Sequence, residues 1–343
     1  SGKGMGTEGK RVFTTPRLVV SRCLEFDAVR YDGSRISSPF VALLREHAEC
    51  IPVCPEVEIG LGIPRESVRI VRVGGEDRLI QPATGKDVTE PMHRFIAGFL
   101  DGLPDVEGFV LKHRSPTSGL GGVNVYPSAG KSAAIERTAG FFGREVIRRY
   151  PFHPKEDEGR LRDHRIRDHF LTRIYTLADF RQVKALGTMD ALVRFHTRQK
   201  LLLKAHSAGK MRDLGQIVAN RENRPVAEVM ARYGPILLQV LSRAPRIGTN
   251  LDILQHALGY VSHGLAPQEK AFFLENLEAY RAGRVSLAVP KNLLKAWILR
   301  FDAGYLKAQA YFAPYPDDLM EAAHWETDLG RDLWKDREKE PGE

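Results

Sequence analysis

Residues 38–54, SPFVALLREHAECIPVC, decide how the first half of this chain folds. Ser38 is a good N-cap, Pro39 takes the first helical position, and the apolar spacing that follows predicts a helix as far as Cys50. The run IPVC then predicts a strand ending on Cys54. The same alternation extends outward. RLVVS (17–21), SVRIVRV (67–73) and GFVLK (108–112) read as strands, while TEPMHRFIAGFLDGL (89–103) and KSAAIERTAGFFGREVIRRY (131–150) read as helices. Strands alternating with helices of this length imply βαβ units around a largely parallel sheet. In such a sheet ligands sit at the carboxyl ends of the strands. Three chemically loaded loops fall there: Cys23 after RLVVS, Cys54 after IPVC, and HRSPTSGLGG after GFVLK. Topology therefore gathers Cys23, Cys54, Glu56 and the loop 115–119 around one pocket.

Beyond YPFHPKEDEGR (150–160) the pattern changes to helices, with apolar residues three and four apart and Gly or Pro at the joints. The expectation is an α/β domain over 12–152 and an all-α domain over 157–325, with the last stretch, GRDLWKDREKEPGE, frayed.

The chain has 343 residues, a formal charge of +8 and three cysteines. An odd, small number of cysteines argues against a disulfide framework and leaves thiolate chemistry, metal ligation or burial. The start, SGKGMGTEGKR, lacks the apolar core of a secretory signal, and no run is apolar enough to span a membrane. A soluble cytoplasmic protein is expected. The positive charge favours anionic partners such as nucleotides, phosphates or RNA. The Arg-rich stretch 144–173 can line a phosphate-binding cleft or form solvated helix faces.

Cys50 and Cys54 are four residues apart, a spacing that suits neither zinc ribbons nor thioredoxin-like sites. Cys50 ends a helix among apolar neighbours and reads as packing. Cys54 leaves its strand together with Glu56, so a thiol and a carboxylate emerge side by side. The histidines make no HExxH pattern, and RSPTSGLGG lacks the Lys of a Walker loop. Zinc hydrolases and P-loop nucleotidases are thereby disfavoured.

VSRCLEFDAVRYDG (20–33), IPVCPEVEIGLGIPR (51–65) and FVLKHRSPTSG (109–119) together resemble the thiouracil desulfidase family. FHTRQKLLLKAHSAGKMRDLGQIVAN (195–220), NLDILQHALGYVSHGL (250–265), LAVPKNLLKAWILRF (287–301) and QAYFAPYPDDL (309–319) are similar to the YbgA-like domain often fused behind it. The resemblance implies a Rossmann-like domain that holds a [4Fe–4S] cluster on three cysteines, with one iron open to the sulfur of a thiolated pyrimidine. The family's cluster positions fall on Cys23, Cys54 and Ser118, and its active-site Glu and Ser fall on Glu56 and Ser115. Arg30, Arg65 and Arg114 can clamp a substrate phosphate. The implied substrate is a thiolated uracil as base, nucleotide or part of a tRNA. At Ser118 this chain departs from the family, which has cysteine there, and a neutral serine is a poor ligand for cluster iron. The alternative reading is therefore a cluster-free nucleotide- or RNA-binding protein.

Overall fold

The protein is described here by a computed structural model covering residues 11–321. The expectations for the first ten residues and for the tail 330–343 lie outside the described residues. The described residues divide into two compact units, one of residues 11–175 with 315–321 and the other of residues 176–314.

The first unit is α/β. Its elements run β1 (Arg17–Ser21), α1 (Pro39–His47), β2 (Glu49–Val53), α2 (Pro55–Glu58), β3 (Arg69–Val73), β4 (Glu76–Ile80), α3 (Thr89–Asp101), β5 (Gly108–Leu111), β6 (Val123–Tyr126), β7 (Glu136–Thr138), α4 (Phe141–Arg149) and β8 (Lys155–Asp157). β1, β2, β5 and β8 form one parallel sheet in the order β2-β1-β5-β8. Alternation along its strands sends Val19, Phe109 and Leu111 to one face, where they pack with Met92 and Ile96 of α3 and Phe142 and Val146 of α4. Leu18, Val20 and Val110 face the other way, onto Phe40 and Leu44 of α1 and Phe170 and Ile174 of α5 (His164–Leu186). With both faces covered, the central strand β5 reads GFVL, apolar without alternation.

β3, read from the sequence as a strand of the parallel sheet, instead belongs to a second sheet, in the order β4-β3-β6-β7, whose other strands were not legible in the pattern. Gly74 and Gly75, at φ +59° and +88°, make the tight turn that folds β4 back on β3. Residues 131–150, expected as one helix, are split. Glu136–Thr138 pairs antiparallel with β6, and Gly140 is the N-cap of a shorter α4. The β-ladder takes the backbone groups of 136–138 that a helix would have used.

The second unit is helical. α5 continues into it, followed by α6 (Met189–His206), α7 (Ala208–Ala219), α8 (Val226–Leu241), α9 (Ile247–Val261), α10 (Pro267–Arg281), α11 (Ala288–Arg300) and α12 (Gly304–Lys307). A short α13 (Asp317–Glu321) belongs to the first unit. Gly187, at φ +64°, ends α5, and the Thr188 hydroxyl caps α6 by accepting from the Ala191 N–H. The core gathers around Tyr233, whose ring lies 5.4 Å from that of Phe180 and 6.1 Å from that of Phe195. No helix among the described residues is long and apolar enough to cross a membrane.

Candidate functional site

All four strands of the parallel sheet end on the same edge, and chemistry follows each end: Cys54 after β2, Cys23 after β1, Lys112 to Ser118 after β5, and Glu158 after β8. Cys23 lies close enough to Cys54 for the charge of Cys54 to be felt at its thiol. Burial first, and then the neighbouring Cys54, push the Cys23 thiol up to about 12, with the Lys112 and Arg30 cations pulling against them. The Cys54 thiol is likewise raised, chiefly by burial. Its Sγ lies 3.9 Å from the Val29 carbonyl and 3.8 Å from Nη2 of Arg65. Two half-buried thiols thus stand together near Lys112, Arg30 and Arg65, and burial keeps them protonated until a soft cation takes the place of the protons.

Glu56 is the second residue of α2, in its first turn, its side chain 12% exposed. Arg65 Nε and Nη2 both donate to its Oε2, at 2.8 and 2.6 Å. Arg65 Nη1 donates to the carbonyls of Val29 and Gly62. Arg65, expected on a substrate phosphate, thus has its buried guanidinium on Glu56 and on two loop carbonyls.

The other carboxylate oxygen, Oε1, accepts from the Thr117 hydroxyl at 3.0 Å. Thr117 Oγ1 is in turn 3.0 Å from Ser115 Oγ. Ser115 Oγ already accepts from the backbone N–H groups of Thr117 and Ser118, at 3.3 and 3.1 Å. Since Thr117 spends its proton on Glu56, the Ser115 hydroxyl is the donor between the two. The result is one directed chain, Ser115 to Thr117 to Glu56.

The loop carrying these hydroxyls is held from behind by the start of α4. Phe142 N–H donates to the Thr117 carbonyl and Gly140 N–H to the Gly119 carbonyl, both at 2.8 Å. The backbones approach so closely that a Cβ on Gly143 would overlap the Gly119 carbonyl oxygen, and one on Gly140 would sit 2.5 Å from that of Thr117. Ser118 is fixed in this loop and buried, at 4% exposure.

Lys112 donates from Nζ to Glu158, whose other oxygen accepts the His113 N–H at 2.8 Å. Arg30 is held by Ser34 and Asp32, and Arg114 is exposed at φ +53°. Cys50 lies elsewhere. It pairs with Leu18 near the start of β2, four residues or about 13 Å along the strand from Cys54. Burial raises its thiol to about 11. In the stretch 144–173, Arg144 binds Asp77, Arg148 and Arg149 bind Glu145, and Arg160 binds Glu156. Sequence reasoning passed over Thr117, Lys112 and Glu158. The two-residue spacing of hydroxyls in SPT was the available signal for Thr117, whereas Glu158 comes in from a strand some 45 residues on.

Two family descriptions match the chain. That of 2-thiouracil desulfurase covers residues 18–158, and that of DUF1722, a protein of unknown function, covers residues 200–316. An uncharacterized protein of Bacillus subtilis strain 168, YbbK, is 31% identical over 138 residues, which span 36% of this chain and 91% of YbbK. The uncharacterized protein YbgA of Escherichia coli K12 is 27% identical over 154 residues, 44% of this chain and 91% of YbgA. A solved structure described as the [4Fe-4S]-dependent thiouracil desulfidase TudS is 25% identical, with a TM-score of 0.33, over 43% of this chain and 93% of that one. Residues 18–158 belong to the 2-thiouracil desulfurase family, and the chain joins them to a DUF1722 segment at residues 200–316.

Proposed function

We propose that this chain removes sulfur from a thiolated uracil, replacing C=S by C=O with water as the oxygen source and hydrogen sulfide as the product. The single observation that carries the reading is the convergence, at one sheet edge, of the Cys23 and Cys54 thiols with the Glu56 carboxylate and its hydroxyl chain. Family membership supports the substrate class. No electron acceptor is needed, because the exchange is a hydrolysis.

Cys23 and Cys54 fit an iron–sulfur cluster by donor chemistry, since soft thiolates suit cluster iron and both thiols are half-buried. Ser118, at the third family position, brings only a hydroxyl. When bound, a [4Fe–4S] cluster would supply Lewis acidity toward the departing sulfur. Glu56 takes a proton from the attacking water, with Arg65 fixing its Oε2 and Thr117 its Oε1. Ser115 orients the ring or the water through the same chain. Arg30, whose charge reaches Cys23, and the exposed Arg114 would meet a phosphate if the base comes as a nucleotide. Lys112 and Glu158 pair with each other beside Cys23.

Ser118 favours a second reading, a cluster-free protein that binds a nucleotide or an RNA, including tRNA. Anaerobic reconstitution with iron and sulfide separates the two. Brown protein that releases sulfide from 2-thiouracil supports the enzyme. Colourless protein that binds uridine nucleotides without releasing sulfide supports the binding module.

A further inference from the structure

The groups placed at the site so far are thiols, charges and hydroxyls: Cys23 and Cys54, Glu56 with Arg65, and Ser115 with Thr117. They can act on the edge of a pyrimidine. The ring also has two flat faces, which shed water against another flat or aliphatic surface. Two loops bring such a surface. Tyr31 is 45% exposed and Ile63 44%, both large apolar side chains left open to water. They stand 32 residues apart in the chain, yet each is anchored to the site.

Val29, two residues before Tyr31, has its carbonyl 3.9 Å from Cys54 Sγ and accepts from Arg65 Nη1 at 2.9 Å. The Tyr31 carbonyl itself accepts the Arg65 N–H at 2.8 Å. Ile63 lies two residues before Arg65, and the Gly62 carbonyl beside it accepts from Arg65 Nη1 at 3.2 Å. Arg65 thus ties both loops to Glu56. The loops also approach each other, since a Cβ on Gly33 would meet Ile63 Cγ2 at 3.9 Å.

The turn that presents Tyr31 is set in advance. Arg30 N–H donates to the Ser34 carbonyl at 3.2 Å and Gly33 N–H to the Arg30 carbonyl at 2.9 Å, with Gly33 at φ +74°. Asp32 Oδ1 accepts from both the N–H and the hydroxyl of Ser34. The Arg30 guanidinium lies over the Tyr31 ring, 5.4 Å from its centre, and no aromatic ring packs on Tyr31 among the described residues.

We infer that Tyr31 stacks on a face of the pyrimidine ring and that Ile63 closes beside it, so that these two side chains set the site's preference for a flat base. The inference rests on the desulfidase reading and adds to it the surface that holds the ring. A tyrosine on a preset turn gives up little conformational freedom when it stacks, because only two torsions are fixed. Stacking acts alike on substrate and transition state, so its loss falls on KM and spares kcat.

The test measures binding of uracil, the product, to reconstituted protein by titration calorimetry, alongside sulfide release from 2-thiouracil. Tyr31→Ala is expected to raise the dissociation constant for uracil about tenfold to 100-fold, the span of a lost aromatic–base stack, and to raise KM similarly at parental kcat and iron content. Tyr31→Phe, which keeps the ring, is expected to bind like the parent. Ile63→Ala is expected to give a smaller rise, since it removes aliphatic contact alone. Phe152→Ala is the control expected to bind like the parent: Phe152 is 40% exposed but precedes β8, at the amino edge of the sheet. Parental binding in Tyr31→Ala, equal losses in Tyr31→Phe and Tyr31→Ala, or a parent that binds no uracil would overturn the inference. A parent that binds uracil through Tyr31 and releases no sulfide would uphold the stack and overturn the desulfidase reading alone.

Discussion

Arg65 holds Glu56 by two N–H donors on a single carboxylate oxygen, leaving the other oxygen to the Thr117 hydroxyl. The side chains are 3% and 12% exposed, so neither charge has water to fall back on. Removing one partner of such a pair leaves a buried charge uncompensated. Arg65→Met is expected to cost about 3–5 kcal/mol in urea denaturation, and the double variant Arg65→Met/Glu56→Gln clearly less than the sum of the two singles. Additive losses would mean that the pair is not coupled.

The hydroxyl chain makes a prediction of a different kind, because Thr117 is buried and its methyl can be kept while its oxygen is removed. Thr117→Val is expected to lower kcat for sulfide release by about 100-fold, at the low end of what a positioned acid or base contributes, with little change in KM. Thr117→Ser should restore most of it. If valine and serine behave alike, Thr117 only fills space.

Gly143 tests how the loop is held. Alanine there drives a methyl into the Gly119 carbonyl oxygen, and both partners are backbone that cannot swing away. Gly143→Ala is expected to lower stability by about 2–3 kcal/mol and to reduce iron content by shifting Ser118 and Thr117 away from the thiols. A variant of parental melting temperature and iron content would show that the loop has slack.

The parallel sheet was legible because β1, β2 and β5 are short apolar runs bounded by turn residues, as in IPVC and GFVLK, and helical periods lie between them. The second sheet was not. Glu136–Thr138, with the sequence ERT, carries no strand signal of its own and becomes a strand only because β6 offers it a ladder. The gathering of loops at the sheet edge follows from parallel topology, whereas the partners within the site do not. Arg65 lies nine residues from Glu56 beyond the loop IGLGIP, and Thr117 lies 61 residues from it. Long-range pairings of this sort are set by how the strands are ordered, which spacing along the chain does not encode.

Ser118 and Cys50 are distinguished by position. Ser118 sits in the clamped loop at the strand ends, and Cys50 sits at the far end of β2 with its sulfur near the Ala48 carbonyl. Ser118→Cys is therefore expected to raise iron and acid-labile sulfide per chain and to slow loss of the brown colour in air, since a third thiolate leaves fewer irons dependent on outside ligands. Cys50→Ala should leave both contents unchanged. A fall in iron on losing Cys50, or no gain on adding a thiol at 118, would reverse the assignment of these two positions.

The most direct test of the central claim is sulfide release from 2-thiouracil by anaerobically reconstituted protein, followed together with appearance of uracil. The account predicts one sulfide for each uracil formed, with no added reductant or oxidant, and loss of both products in Glu56→Gln at parental iron content. Iron-loaded protein that forms neither product, or Glu56→Gln that turns over like the parent, would contradict it.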